Sequence, residues 1–402
     1  MAGQLKVNGV TIATEESGTV TLENPQIKDS SNNVILDQSG TTPVLKNIEV
    51  VNNSSMMFRN LLYNGAMQIN QRGTVSVSSG NAYGCDRWEV CRAGGDAQYD
   101  LKESTDVPVG KGFAKSFHID ITTADASLGA SDGYFFRQQF EGQDLQRLMK
   151  GTSSAKTLTL SFFVKSSKAG TYIVELYDVD NTRQVSRSYS ISAVDTWQEV
   201  TLNFPADTTG AFDNNNERSL LVQWWLASGT NKTSGTLNTN WNSNVDANRL
   251  VGLNVNVMDN TANNFYITGV QLEEGDSKTT FEHRPIGMEL SLCQRYYQIR
   301  NIWTSTNTHI ASGSYGNGAC YSHFNLSTEM RASPSLVINQ PTQIQLYNNS
   351  GSWNNVTLLP QTSKPDIVGV YYGENGNSYG GLLRLTGYAT STYPTILCSS
   401  EL

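Results

Sequence analysis

The chain has 402 residues, more than one ordinary hydrophobic core accommodates, so two or three domains are expected. Only 16% of the residues are charged, and the formal net charge of -8 argues against a nucleic-acid-binding surface, which needs a positive field to displace counterions. The start, MAGQLKVNGV, carries neither the basic region nor the apolar segment of a secretory signal, and no apolar run approaches the roughly 20 residues of a membrane span. The sequence therefore reads as a soluble protein made in a cytoplasm, with no nucleic-acid partner and no membrane insertion.

Residues 1–58 offer the short runs LKVNGVTI, TVTL, NVIL and PVLKNIEV, punctuated by the turn-formers SG, ENP, SSNN and SGTTP. No Phe, Tyr or Trp precedes Phe58, so this segment is too poor in large apolar side chains to bury a core alone. It is expected to need partners, either identical copies wound about a symmetry axis or a docking surface on a larger assembly.

From residue 59 to 289 the pattern changes to longer alternating strands, among them KTLTLSFFVKSS, TYIVELYDVD, TWQEVTLNFP, RSLLVQWWLAS and NFYITGVQLEEG. Their number and spacing predict an antiparallel sandwich of two sheets. A helix is predicted only at residues 141–151, EGQDLQRLMKG, where Leu145, Leu148 and Met149 fall at helical spacing and Gly151 can stop it. Residues 288–299, MELSLCQRYYQI, read as a short helix or a linker strand and as a hinge. Beyond it, residues 290–402 read as a smaller all-β unit whose Gly and Asn clusters form hairpin turns.

Five cysteines, Cys85, Cys91, Cys293, Cys320 and Cys398, are odd in number and without a CxxC pair, which signals neither a disulfide framework nor a zinc site. His118, His283, His309 and His323 lie too far apart to form a metal-ligand pair by spacing. GASDG at 129–133 matches the nucleophile-elbow pattern formally, but the strand-like YFFRQQFEG follows it where a helix is required. No local motif singles out the two opposed carboxylates of a glycosidase, and no glycine loop precedes a helix to cradle phosphate.

The tryptophans and tyrosines are the candidates for recognition. Trp224 shares strand parity with Leu220, Val222 and Leu226 and is expected in the core, whereas Trp225 shares it with Leu221, Gln223 and Ala227. Trp225 is thus a candidate platform for a sugar ring, with packing between subunits as the alternative. Trp241, among amides in TNWNSNVDANR, is a second candidate, the alternative being a ring tucked back on its own domain. Trp88 and Trp197 read as packing residues. Near the carboxyl end, Tyr371, Tyr372 and Tyr379 in VYYGENGNSYGG form a third group, joined by Tyr388 and Tyr393. Such tyrosines among Gly, Asn and Ser make an adaptable binding surface, or else pack within an oligomer.

Several segments in consistent order carry a resemblance. NLLYNGAMQINQRG, DRWEV, TLSFFVKSSKAGTYIVEL, DTWQEVTLNFPADTTG and FYITGVQLEEGDSKTTFEHRPIGMELSLCQRYYQ, spanning residues 60–298, resemble the jelly-roll module of bacteriophage tail-fibre and other virion proteins, itself similar to carbohydrate-binding jelly rolls. The leader is similar to amino-terminal segments of phage structural proteins, particularly those of cyanobacterial phages. The resemblance implies an elongated virion component, a homotrimer, held to other virion proteins through residues 1–58, with a jelly-roll middle at 59–289 and a distal β-domain at 290–402 that meets a host surface glycan. It implies binding without catalysis. The alternatives are a decoration (cement) protein with no host ligand and a polysaccharide depolymerase.

In jelly rolls of this class the last strand pairs beside the first. NFYITGVQLEEG is then expected to close the sandwich on LLYNGAMQI, with Tyr266, Thr268 and Val270 on one face and Phe265, Ile267 and Gly269 on the other. Related sandwiches also clip first strand to last with a calcium ion. This chain departs from that pattern, with Met67 and Gln68 where a carboxylate is expected, so no cofactor is assigned; Glu273, Glu274 and Asp276 read as a solvated acidic turn before a cation site.

Overall fold

The computed structural model describes residues 58–300, 325–337 and 395–402 with their side chains, and elsewhere backbone strands only. Contacts divide the chain into two compact units, Met1–Phe58 and Arg59–Leu402.

The first unit holds two three-stranded antiparallel sheets. One is β1 (Gly3–Val7), β2 (Val10–Glu16) and β3 (Thr19–Leu22); the other is β4 (Gln26–Lys28), β5 (Val34–Asp37) and β6 (Val44–Leu45). In the sequence Asn-Gly separates β1 from β2 and Ser-Gly separates β2 from β3, dipeptides that favour two-residue hairpins.

The second unit contains the predicted sandwich. Its strands are β7 (Val75–Val77), β8 (Ala82–Tyr83), β9 (Glu89–Ala93), β10 (Gln98–Ser104), β11 (Ser116–Thr123), β12 (Gly133–Glu141), β13 (Leu158–Ser166), β14 (Gly170–Asp178), β15 (Arg183–Ile191), β16 (Gln198–Phe204), β17 (Arg218–Ser228), β18 (Asn242–Ser243) and β19 (Asn264–Glu274). They form a six-stranded sheet, β16-β13-β19-β11-β10-β7, and a seven-stranded sheet, β18-β15-β14-β17-β12-β9-β8, with antiparallel pairing throughout. Alternation sets the faces: Leu158, Leu160, Phe162 and Val164 of β13 point inward, opposite Leu220, Val222, Trp224 and Leu226 of β17, and all eight belong to one buried cluster. At its centre Trp224 stacks on Phe136 with centroids 5.1 Å apart and meets Trp88 edge-on at 5.5 Å. Trp224 and Trp88 are therefore core residues, as their parity and setting predict.

β19 departs from the expected alternation. Phe265, Ile267, Val270 and Leu272 all lie in the core cluster, so Val270 has changed sides. The cause is a bulge against β13, where the register slips between Ser161 and Phe163 and Gly269 takes a left-handed φ of 62°. The strand also sits inside the six-stranded sheet, between β13 and β11, and is not an edge that closes the sandwich. The 60–65 segment still reaches it: Leu61 N donates to Leu272 O at 2.8 Å, and Val270 N to Gly65 O at 2.9 Å.

The predicted helix at 141–151 is a 3-10 helix, Gly142–Leu148, with Leu145 and Leu148 buried and Met149 left-handed at its end. Residues 288–299 divide between helix α1 (Ile286–Gln294) and strand β20 (Tyr297–Asn301). They are pinned, not hinged. The Arg295 guanidinium makes two 2.7 Å bonds to the buried Glu141 carboxylate, Tyr296 Oη donates to the same group at 2.6 Å, and Arg87 lies 3.3 Å over the Tyr296 ring. The division expected near residue 289 is thus crossed by a dense polar lock.

Beyond it lie β21 (Ser312–Gly316), β22 (Ala319–Asn325), β23 (Ser335–Asn339), β24 (Ile344–Asn348), β25 (Gly351–Trp353), β26 (Leu359–Ser363), β27 (Ile367–Gly373), β28 (Leu383–Gly387) and β29 (Thr395–Ser399). β20, β29 and β23 form a three-stranded sheet, and the others a seven-stranded one. The chain is all-β in class. Among the described residues no helix is long and apolar enough to cross a membrane.

Candidate functional site

Each sheet has an outer face, and the two differ. On the seven-stranded sheet, register places Ile173, Trp225, Phe135 and Cys91 in one row across β14, β17, β12 and β9. The next row is Glu175, Gln223, Arg137 and Glu89. This face is covered. Trp225 is 1% exposed, packs with Ile173 and Leu250, and donates its Nε1 hydrogen to Glu175 Oε2 at 3.2 Å. Glu175 is also clasped by Arg249 through bonds of 2.7 and 2.8 Å, and Gln139 Nε2 donates to Leu402 O at 2.9 Å.

Trp225 is therefore corrected as a sugar platform: parity put it on the outer face, but the segment bearing Arg249 and Leu250 roofs it over. Trp241 is half-buried against the core, its Nε1 hydrogen given to Pro205 O at 2.9 Å, the tucked-back alternative. Tyr371, Tyr372 and Tyr379, with Tyr388 and Tyr393, lie outside the described side chains.

The outer face of the six-stranded sheet carries half-exposed rings. Lys165 pairs with Tyr266, Tyr266 with His118, and His118 with Lys102, on β13, β19, β11 and β10. Val164 pairs with Gln198, so Trp197, just before β16, extends the row to a fifth strand. His118 and Tyr266 stack with centroids 4.1 Å apart and planes inclined by 13°, while Trp197 stands edge-on to Tyr266 at 6.4 Å. The Lys165 ammonium lies 4.5 Å from the Tyr266 centroid and 5.8 Å from that of Trp197, a cation held between two ring faces. Asp106 ties the group together, accepting from Lys165 Nζ and, at 2.9 Å, from Trp197 Nε1.

A polar row runs beside this one: Asn264, Asp120, Asp100 and Ser76, on β19, β11, β10 and β7. Asn264 Oδ1 is 2.7 Å from His118 Nε2, Lys102 Nζ donates to Asp120 at 2.6 Å, and Ser76 Oγ to Asp100 at 2.7 Å. On the other side stands Phe163, backed by Phe113 at 5.6 Å, which in turn meets Phe281 at 5.0 Å. Burial raises the Asp106 carboxyl, yet the Lys165 and Trp197 bonds bring it below the usual range, so it is ionised. Burial lowers the His118 imidazole from its ordinary 6.5, and the Lys102 and Lys165 charges add to this, so the stacked ring is neutral at pH 7.

None of these side chains was singled out by local motif except Trp197, read as packing. The available signal was parity: Tyr266 alternates outward from Phe265 and Ile267.

The acids named for a cation are engaged otherwise. Glu273 lies 3.4 Å from Arg59 Nε and accepts from Thr279 N and Oγ1 at 2.9 and 2.6 Å, and Glu274 pairs with Arg147 at 2.8 Å. Guanidinium and hydroxyl groups thus engage Glu273 and Glu274, while the Asp276 carboxylate accepts, among the described residues, only from the adjacent Ser277 Oγ, at 3.1 Å. Cys85, Cys91, Cys293 and Cys398 are buried free thiols. A cavity of about 350 Å³, lined in part by Leu145, Met149, Lys150 and Phe212, has no carboxylate in its wall. GASDG runs directly into β12, a strand.

No protein-family model matches the chain, and no curated protein sequence matches it. Solved structures resemble it in fold at low identity. A tailspike protein 4 enzymatically active domain from bacteriophage CBA120 is 14% identical over 54% of this chain and 22% of its own, with a TM-score of 0.30. A putative sugar binding protein from Bacteroides thetaiotaomicron is 12% identical over 54% of this chain and all of its own, at 0.29. A family 11 carbohydrate-binding module from Clostridium thermocellum is 10% identical over 51% and 97%, at 0.26. The chain thus spans about a fifth of the tailspike chain's length.

Proposed function

We propose that this protein is a non-enzymatic phage virion component, a tail fibre or similar projection, that binds host surface glycans through the outer face of its six-stranded sheet. The observation that carries the reading is the row Trp197, Lys165, Tyr266 and His118. The half-exposed His118, Tyr266 and Trp197 rings, packed against one another and around Lys165, form an apolar strip for the C–H side of a pyranose, while Asp106, Asp120 and Asn264 beside them offer partners to its hydroxyls.

The sequence resemblance of residues 60–298 to virion jelly rolls supports the setting. In that setting the chain is a homotrimer attached to other virion proteins through residues 1–58. A shallow site binds weakly, so the copies in one fibre act together and avidity supplies the strength.

The test is adsorption of the purified protein to host cells and to immobilised host polysaccharide. Wild type is expected to be retained, and Trp197→Ala and Tyr266→Ala to be retained at least about tenfold less. Equal retention of both variants removes the site from the reading, and release of reducing ends from the polysaccharide replaces binding with hydrolysis.

A further inference from the structure

At one end of the sandwich a lysine is buried against two carboxylates. We propose that the Lys150 ammonium condenses with the Asp178 carboxylate to form an intramolecular amide, with Asp207 relaying the proton; the structure describes the pair before condensation.

The reacting groups belong to different sheets. Lys150 follows the 3-10 helix and leads toward β13 of the six-stranded sheet, and Asp178 ends β14 of the seven-stranded sheet. Their side chains are 6% and 0% exposed, and Lys150 Nζ lies 2.5 Å from Asp178 Oδ2. With a C–O bond of about 1.2 Å, the Asp178 Cγ is at most about 3.7 Å from that nitrogen, close to attack distance. The carboxylate pairs made by other lysines among the described residues each have a partner at least 31% exposed, so water keeps both of their charges solvated.

The surroundings supply what the step needs. Asp207, 4% exposed, stands 3.1 Å from Nζ. Burial raises its carboxyl, but bonds from Arg183 at 2.8 and 3.0 Å, from Lys150 and from Thr209 N bring it below the usual range, so it is ionised and able to accept a proton. Arg183 also keeps it from retaining that proton. Asn181 donates from N at 3.0 Å and from Nδ2 at 3.3 Å to Asp178 Oδ1, where negative charge gathers as the nitrogen adds to Cγ. The Phe212 and Trp241 rings lie 5.1 and 5.3 Å from the ammonium. A cavity of about 20 Å³ beside Lys150, Asp207, Phe212 and Trp241 has room for about one water, the molecule to be released.

The step balances without an outside reagent. One ammonium proton passes to Asp207, the freed amine adds to Cγ, and the C–Oδ2 bond of the adduct breaks. Asp207 returns its proton to Oδ2 and the nitrogen gives up a second, so Oδ2 leaves as water and one hydrogen stays on the amide. An ammonium and a carboxylate become a neutral group, and the remaining charges, Asp207 and Arg183, are already paired. In water, hydration of the ions opposes this condensation; burial withdraws that hydration, and fixed proximity supplies the effective concentration. The amide hydrogen meets the carbonyl oxygens of Thr209 and Gly210, which accept from Nζ at 3.1 and 2.7 Å. The new bond ties the two sheets together covalently.

The test is mass spectrometry of the denatured, reduced full chain, fresh and after prolonged incubation at neutral pH, followed by proteolysis and tandem sequencing. The expected result is a chain lighter than its sequence by one water and a branched peptide joining Lys150 to Asp178. Lys150→Arg is expected to keep the sequence mass. Asp178→Asn is expected to form the same bond with loss of one ammonia, which a plain ion pair cannot do. Asp207→Asn, shown to be folded by circular dichroism, is expected to condense about a hundredfold more slowly. A wild-type chain that stays at its sequence mass, or one that loses water without the branched peptide, overturns the proposal. Condensation of Asp207→Asn at the wild-type rate overturns the role given to Asp207.

Discussion

The imidazole of His118 lies flat against the phenol of Tyr266, each ring borne by a strand that neighbours the other in the six-stranded sheet. Burial depresses the His118 pKa below 6.5, aided by Lys102 and Lys165 and opposed by Asn264 and Asp120. The unfolded chain therefore takes up this proton first. Stability is unaffected by His118 above pH 6.5 and falls as the pH drops from 6.5 through the lower folded-state value. The melting temperature is expected to decline across that window in wild type and to decline less in His118→Gln, as thermal scans in matched buffers will read.

Two tryptophans should part company when truncated. Trp225→Ala empties a site only 1% exposed and strips a donor from Glu175, so a loss of about 3–5 kcal/mol is expected. Trp197→Ala, at a half-buried position, is expected to cost about 1 kcal/mol or less while lowering retention on glycan. Urea denaturation of both variants checks the contrast.

Lys150 is 8% exposed, and its ammonium meets Asp178, Asp207 at 3.1 Å, and the carbonyl oxygens of Thr209 and Gly210 at 3.1 and 2.7 Å. Lys150→Met keeps the bulk and removes the charge, leaving the buried Asp178 carboxylate with no cation and only the Asn181 donors, beside an Asp207 still held by Arg183. A loss of about 3–5 kcal/mol is expected from equilibrium unfolding.

At Gly269 a β-carbon would stand 2.5 Å from Phe113 Cζ, on a backbone with φ of 62°. Gly269→Ala is expected to destabilise by about 1–3 kcal/mol, and to disturb Phe113 and Phe163 beside the candidate site. Near-ultraviolet circular dichroism reads the ring environment directly.

The sandwich was legible because buried strands repeat every second residue: β13 and β17 announce their inward faces without help from the rest of the chain. Val270 was misplaced because one left-handed glycine reverses the alternation after it, and no local pattern marks a bulge. Trp225 was assigned its face correctly but not its cover, since Arg249 and Leu250 reach it from a distant segment. The candidate row escaped local motifs for a related reason. Its members, Lys102, His118, Lys165 and Tyr266 on four strands and Trp197 just before a fifth, are spread over more than 160 positions and meet only through the pairing of those strands.

The lock between α1, β20 and the sandwich bears on mechanics. A tensile load entering at residue 301 would reach Arg295 and Tyr296, and through Glu141 pass into β12, a central strand bonded on both sides. Because β12 is paired with β17 on one side and β9 on the other, a load that arrives through Glu141 is shared between two ladders of hydrogen bonds.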